Sequence, residues 1–190
     1  MMEKKQEVRI KRIVDAYNMI PNLFWSVIFL FPVALFCYNY LVVKYLIIFL
    51  LISLVPVFLP RSFFNFFQSP KMAIFYRKAG VGFINKFTQN GTLINKIIRK
   101  RYPQYKFLSQ KKLSAQQLFQ QTYMFEKFHF MLCFFFILIN GYACWQALYG
   151  WANFIFITNL IYNIYPIFLQ HYIRIRILSL QQFKNTAVNK

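Results

Sequence analysis

TYMFEKFHFMLCFFFILINGYACWQALYGWANFIFITNLIYNIYPIFLQHYIRIR, Thr122 to Arg176, is the stretch that decides the fold. Its two apolar runs, Phe128–Leu148 and Trp151–Leu169, each match the ~20 residues an α-helix needs to cross a bilayer. Only a few residues around Tyr149-Gly150 join them, so the two helices form an antiparallel hairpin. At a constant rise per residue, Glu126 and His129 at the start of the first run reach the same depth as Gln170, His171 and Arg174 at the end of the second. Glu126 is the only acid after Asp15 in a chain of net charge +19. An ionisable side chain is costly near lipid, so this border position marks a candidate site.

Working outward, 58% of the 190 residues are hydrophobic and 22% aromatic, a composition unlike that of one soluble domain. Two further apolar stretches, Met19–Tyr38 and Leu41–Leu59, precede the hairpin. The predicted fold class is an all-α membrane protein: four transmembrane helices as two hairpins with a basic amphipathic segment between them. The apolar stretch near the N-terminus is too long for a signal peptide and no cleavage site follows it, so it is expected to be a retained span.

Basic residues set the expected orientation. Five Lys and Arg precede the first span and thirteen lie between Arg61 and Lys127, whereas none falls between spans three and four. The positive-inside rule then puts both termini and the central segment in the cytoplasm of a multi-pass cell-membrane protein. The expected organisation is a basic N-terminus (1–18), a first hairpin (19–60), an interfacial segment (61–125), a second hairpin carrying the site (126–170) and a cytoplasmic tail (171–190).

The central segment reads as interfacial chain. RSFFNFFQSP (61–70) is crowded with Phe, which suits rings seated at the headgroup boundary. Apolar residues recur at helical spacing from Ile74 to Phe87, a turn is expected at Gln89-Asn90-Gly91, and Leu93, Ile94, Ile97 and Ile98 oppose Lys96, Arg99, Lys100 and Arg101 on a second helix. Ser114 with Gln117 forms a capping-box pattern that starts one long helix running through Glu126 into the third span. This basic surface suits anionic lipid or a polyanionic substrate. Nucleic acid is not expected, since no recognition motif accompanies the charge.

Glu126 and His129 stand at i,i+3 on one helix face. A carboxylate beside an imidazole orients the ring and raises its basicity, as a general base acting on a hydroxyl requires. His129 is thus the expected base and Glu126 its partner. His171 is either a second base or an interface filler. Gln170 and Arg174, one turn apart with Arg176 nearby, suit a substrate carbonyl, an oxyanion or a phosphate. The competing assignment pairs Glu126 with Arg174 or Arg176 purely as a clasp between helices. Cys37, Cys133 and Cys144 match no metal spacing, and no metal site is expected.

NIYPIFLQHYIRIR (163–176) is similar to the closing signature of the glycosyl-4,4'-diaponeurosporenoate acyltransferase family, with Pro166, Gln170, Tyr172, Arg174 and Arg176 in its positions. TYMFEKFHF, carrying Glu126 and His129, and FYRKAGVGFINKFTQNG (75–91) also resemble that family. The likeness spans roughly residues 71 to 178. His171, Ile173 and Ile175 depart from residues common there. The resemblance implies fatty acyl transfer to a sugar hydroxyl of a glycosylated carotenoid, with membrane lipid and a glycosylated isoprenoid as partners and Tyr172 among the substrate-binding residues. Acyl coenzyme A is the expected co-substrate, with no other cofactor. The alternatives are a non-catalytic lipid- or pigment-binding accessory protein and a different small transferase such as a methyltransferase; against the last, the chain has no Gly-rich nucleotide turn.

Overall fold

The computed structural model describes residues 2–66, 72–84, 92–101 and 115–188, and all regular structure among them is helical. The expected turn at Gln89-Asn90-Gly91 and the capping Ser114 lie outside the described residues. In chain order the helices are α1 (Met2–Tyr40), α2 (Val43–Ser53), α3 (Val55–Phe58), α4 (Arg61–Phe66), α5 (Met72–Lys78), α6 (Val81–Ile84), α7 (Thr92–Arg101), α8 (Ala115–Trp145) and α9 (Tyr149–Asn159). A π-helical turn (Leu160–Ile164) then leads into α10 (Tyr165–Val188).

Among the described residues, three helical segments are long and apolar enough to cross a membrane: Asp15–Tyr40, Phe119–Trp145 and Tyr149–Leu180. The expected second span differs. It is a shorter apolar pair, Val43–Phe58, interrupted at Leu54 where α2 gives way to α3. Pro56 supplies no N–H to the helical ladder, and sixteen residues of helix reach only ~24 Å, less than the ~30 Å hydrocarbon layer.

Helix α8 runs unbroken for 31 residues, so a single rod carries both Gln117 and Glu126 into the apolar region. It ends in a turn made by hydrogen bonding rather than by glycine. Leu148 N donates to Ala143 O at 2.9 Å and Ala147 N to Cys144 O at 3.0 Å, while Ala147 takes φ of 57°. These two bonds satisfy carbonyls that the helix end would orphan. The turn therefore precedes Tyr149-Gly150, which belongs to α9.

The return limb packs antiparallel along α8, and its asparagines bond across the seam. Asn140 Nδ2 donates to Ala152 O at 2.6 Å and Asn159 Nδ2 to Cys133 O at 3.3 Å. The π turn comes immediately before Pro166. Without an N–H, Pro166 cannot serve the carbonyl four residues back, and its ring would clash there; a wider turn absorbs the misfit.

The far end of the bundle holds the apolar core: Val33, Phe36 and Leu41 against Phe136, Ile139, Tyr142, Ala152 and Ile155. A second buried cluster joins Tyr76 and Val81 to Leu169 and Ile175, seating α5 and α6 on α10. Gly80, at φ of 78°, makes the bend between α5 and α6, where a side chain would be strained. On α7, Ile98 is buried and Ile97 exposed.

Candidate functional site

The two hairpin limbs meet at Glu126. Its side chain is fully buried, and each carboxylate oxygen faces a side chain of α10. Oε1 bonds to Nε2 of His171, and Oε2 stands 2.5 Å from Nη2 of Arg174. His171 and Arg174 are three residues apart, hence on one face of α10, and both are buried. The guanidinium lies over the Tyr123 ring at 4.3 Å from its centre, so α8 supplies both its counter-charge and an aromatic surface.

A carboxylate ion-paired with Arg174 can only accept from the imidazole, so Nε2 of His171 carries the proton of that bond. The Tyr76 hydroxyl stands 2.9 Å from Nδ1 and donates to that nitrogen's lone pair when it carries no proton. Burial foremost, then the nearby Glu126 charge, raises the Tyr76 pKa against the opposing pull of Arg174, which keeps the phenol a donor at neutral pH. Carboxylate, imidazole and hydroxyl thus form a continuous relay from α8 through α10 to α5.

This pairing corrects one expectation. Glu126 engages His171, not His129, because both of its oxygens are taken by the opposite helix. His129, a turn further along α8, packs its ring edge-on to Phe128 and Tyr162. Gln170 is buried. Tyr172 is half-buried against the Tyr76–Val81 group, and Arg176 is exposed.

Tyr76 is the member that the sequence did not single out. It lies 95 residues from His171, and its only signal is its place within the family-like stretch from Phe75 to Gly91.

The model of the glycosyl-4,4'-diaponeurosporenoate acyltransferase family matches residues 60–182, a segment that contains Tyr76, Tyr123, Glu126, His171 and Arg174. No curated protein and no solved structure matches the chain. The match covers well over half of the sequence, and the chain belongs to the glycosyl-4,4'-diaponeurosporenoate acyltransferase family.

Proposed function

We propose that the protein is a membrane O-acyltransferase that moves a fatty acyl group from a thioester, of the acyl coenzyme A type, to a sugar hydroxyl of a glycosylated carotenoid or similar glycolipid. The family supports acyl transfer in carotenoid biosynthesis. The observation that carries the chemistry is His171 held between a carboxylate on Nε2 and a hydroxyl on Nδ1, the arrangement that activates an O–H for attack.

In this reading the acceptor hydroxyl takes the place of the Tyr76 hydroxyl at Nδ1. His171 removes its proton as the oxygen attacks the thioester carbonyl. The tetrahedral oxyanion collapses, the C–S bond breaks, and the proton passes from His171 to the departing thiolate. Glu126 orients the ring, and Arg174 holds Glu126 in place from the same face of α10. Gln170, on the same helix, would donate to the oxyanion. The basic residues of 61–125 attract the nucleotide end of the donor, and both termini share that cytoplasmic face.

Complete burial of Glu126 and Arg174 also favours a second reading, an accessory protein in which the pair is only a clasp. The two readings part in cells that make the glycosylated pigment. Mass spectrometry should find an acyl ester that depends on the protein and disappears with Glu126→Gln at equal protein level. The exchange Glu126→Arg with Arg174→Glu should restore folding without restoring the ester. Ester formation by the exchanged pair would refute catalysis at this site.

A further inference from the structure

Both ring nitrogens of His171 are covered. Nε2 faces Glu126, and Nδ1 faces the Tyr76 hydroxyl at 2.9 Å. Glu126, His171, Arg174 and Tyr76 are each no more than 3% exposed. A substrate hydroxyl therefore reaches Nδ1 only if Tyr76 leaves. The contact with Glu126 is charge-assisted and the stronger of the two, and it holds the ring between α8 and α10. The bond to Tyr76 joins neutral groups and is the weaker. It is the one that yields.

The helix that carries Tyr76 is built to move. Tyr76 is the only buried residue of α5, while Met72, Ile74, Phe75, Arg77 and Lys78 around it are exposed. One side chain thus does most of the seating of α5 on α10. Past Gly80, Val81 of α6 is fully buried in the same cluster as Leu169 and Ile175. So α6 stays anchored where α5 depends on Tyr76. Gly80 between them, at φ of 78°, has the backbone freedom of a residue without a side chain, and a Cβ there would meet open space.

The space that Tyr76 would vacate has a definite form. Its ring centre lies 5.4 Å from that of Phe168 and 5.8 Å from that of His171. Phe168 and His171 are three residues apart, on one face of α10. The space fits one six-membered ring laid against an aromatic side chain, with a hydroxyl at its rim directed to Nδ1. A pyranose has that outline, and its C–H faces pack on aromatic rings. We propose that Tyr76 is an internal stand-in for a sugar: its phenol fills a pyranose subsite walled by Phe168 and His171, and α5 pivots at Gly80 to exchange the phenol for a sugar hydroxyl. That this sugar belongs to the acyl acceptor rests on the acyl-transfer reading; the occupied subsite does not.

The chain has only two histidines, His129 and His171, which makes imidazole nitrogen NMR a direct readout. The test uses the full chain, with isotope-labelled histidine, in phosphatidylcholine nanodiscs without acyl donor; His129→Gln assigns the resonances. The probes are octyl β-D-glucopyranoside, below its micellar concentration, and its fully O-methylated ether. The glucoside should shift the Nδ1 resonance of His171 saturably, and the ether should not. Tyr76→Phe, which keeps the ring but loses the hydrogen bond, should lower the titration midpoint several-fold. Tyr76→Ala, which empties the subsite, should lower it by roughly tenfold or more, because apparent affinity rises with the fraction of open protein. Phe168→Ala should raise it. Tyr76→Phe carries the test alone should Tyr76→Ala fold poorly. A midpoint unchanged or raised in the Tyr76 variants is what a purely structural or positioning tyrosine would give, and it would overturn the proposal. Equal response to glucoside and ether, or no response of His171 in any of these proteins, would do the same. No acyl transfer occurs in this experiment, so its failure is separate from a failure of the Glu126→Gln test.

Discussion

Helix α8 has two ends built on opposite principles. Around Phe136, Ile139 and Tyr142 it packs against rings and aliphatic chains of α1, α2 and α9, including Phe36 and Trp151. Around Glu126 it buries a carboxylate, a guanidinium and an imidazole. In the first region many small contacts share the load, and a lost one is partly made good by neighbours. In the second a few charges hold one another, and each is tolerable only because the others are present. A buried pair adds little net stability over well-packed apolar residues, yet losing one partner is severe. A cluster of that kind is better explained by use than by stability.

This contrast can be broken most sharply at Arg174. Arg174→Met leaves Glu126 buried without its counter-charge and should cost ~3–5 kcal/mol in unfolding of the purified protein by detergent titration, largely regained in the double variant with Glu126→Gln. Phe136→Ala, at the other end, should cost roughly 1–3 kcal/mol. That is below the ~3–5 kcal/mol of a water-soluble core, because lipid already solvates the ring in the unpacked state. A larger loss at Phe136 than at Arg174 would reverse the comparison.

Tyr76→Phe tests the edge of the charged region. It removes one hydrogen bond to His171 and should cost ~1 kcal/mol. The Tyr76 pKa is raised by burial and by Glu126, so the folded state holds this proton more tightly than the unfolded chain. That contribution is present below the ordinary tyrosine pKa of ~10 and is lost as pH rises through the raised value. The stability gap between native and Tyr76→Phe proteins should accordingly shrink only in strong alkali. A gap that closes near neutral pH would remove Tyr76 from the relay.

Much of this design was legible in the sequence. Two apolar runs and a short link are enough to bring Glu126 level with Gln170, His171 and Arg174, because helical rise is constant. Gln117 and Glu126 do share one helix. Side-chain direction was less accessible. The i,i+3 spacing placed His129 beside Glu126, but spacing along one helix says nothing of the partner helix, whose His171 and Arg174 take both carboxylate oxygens. Tyr76 arrives from a helix 95 residues before His171, and no local pattern announces that contact. The second apolar stretch looked long enough to span by composition, but its break at Leu54 and Pro56 is a backbone matter that hydropathy ignores.

The central claim is that the base belongs to α10, at His171, and not to α8, at His129. Acyl transfer by His171→Gln and His129→Gln proteins in nanodiscs, over a range of acceptor concentrations, tests it most directly. The account predicts that His171→Gln loses kcat by a factor of about 10²–10⁴, the usual contribution of a general base, whereas His129→Gln keeps most of kcat. A His129→Gln protein without turnover, beside a His171→Gln protein that still makes ester, would contradict it.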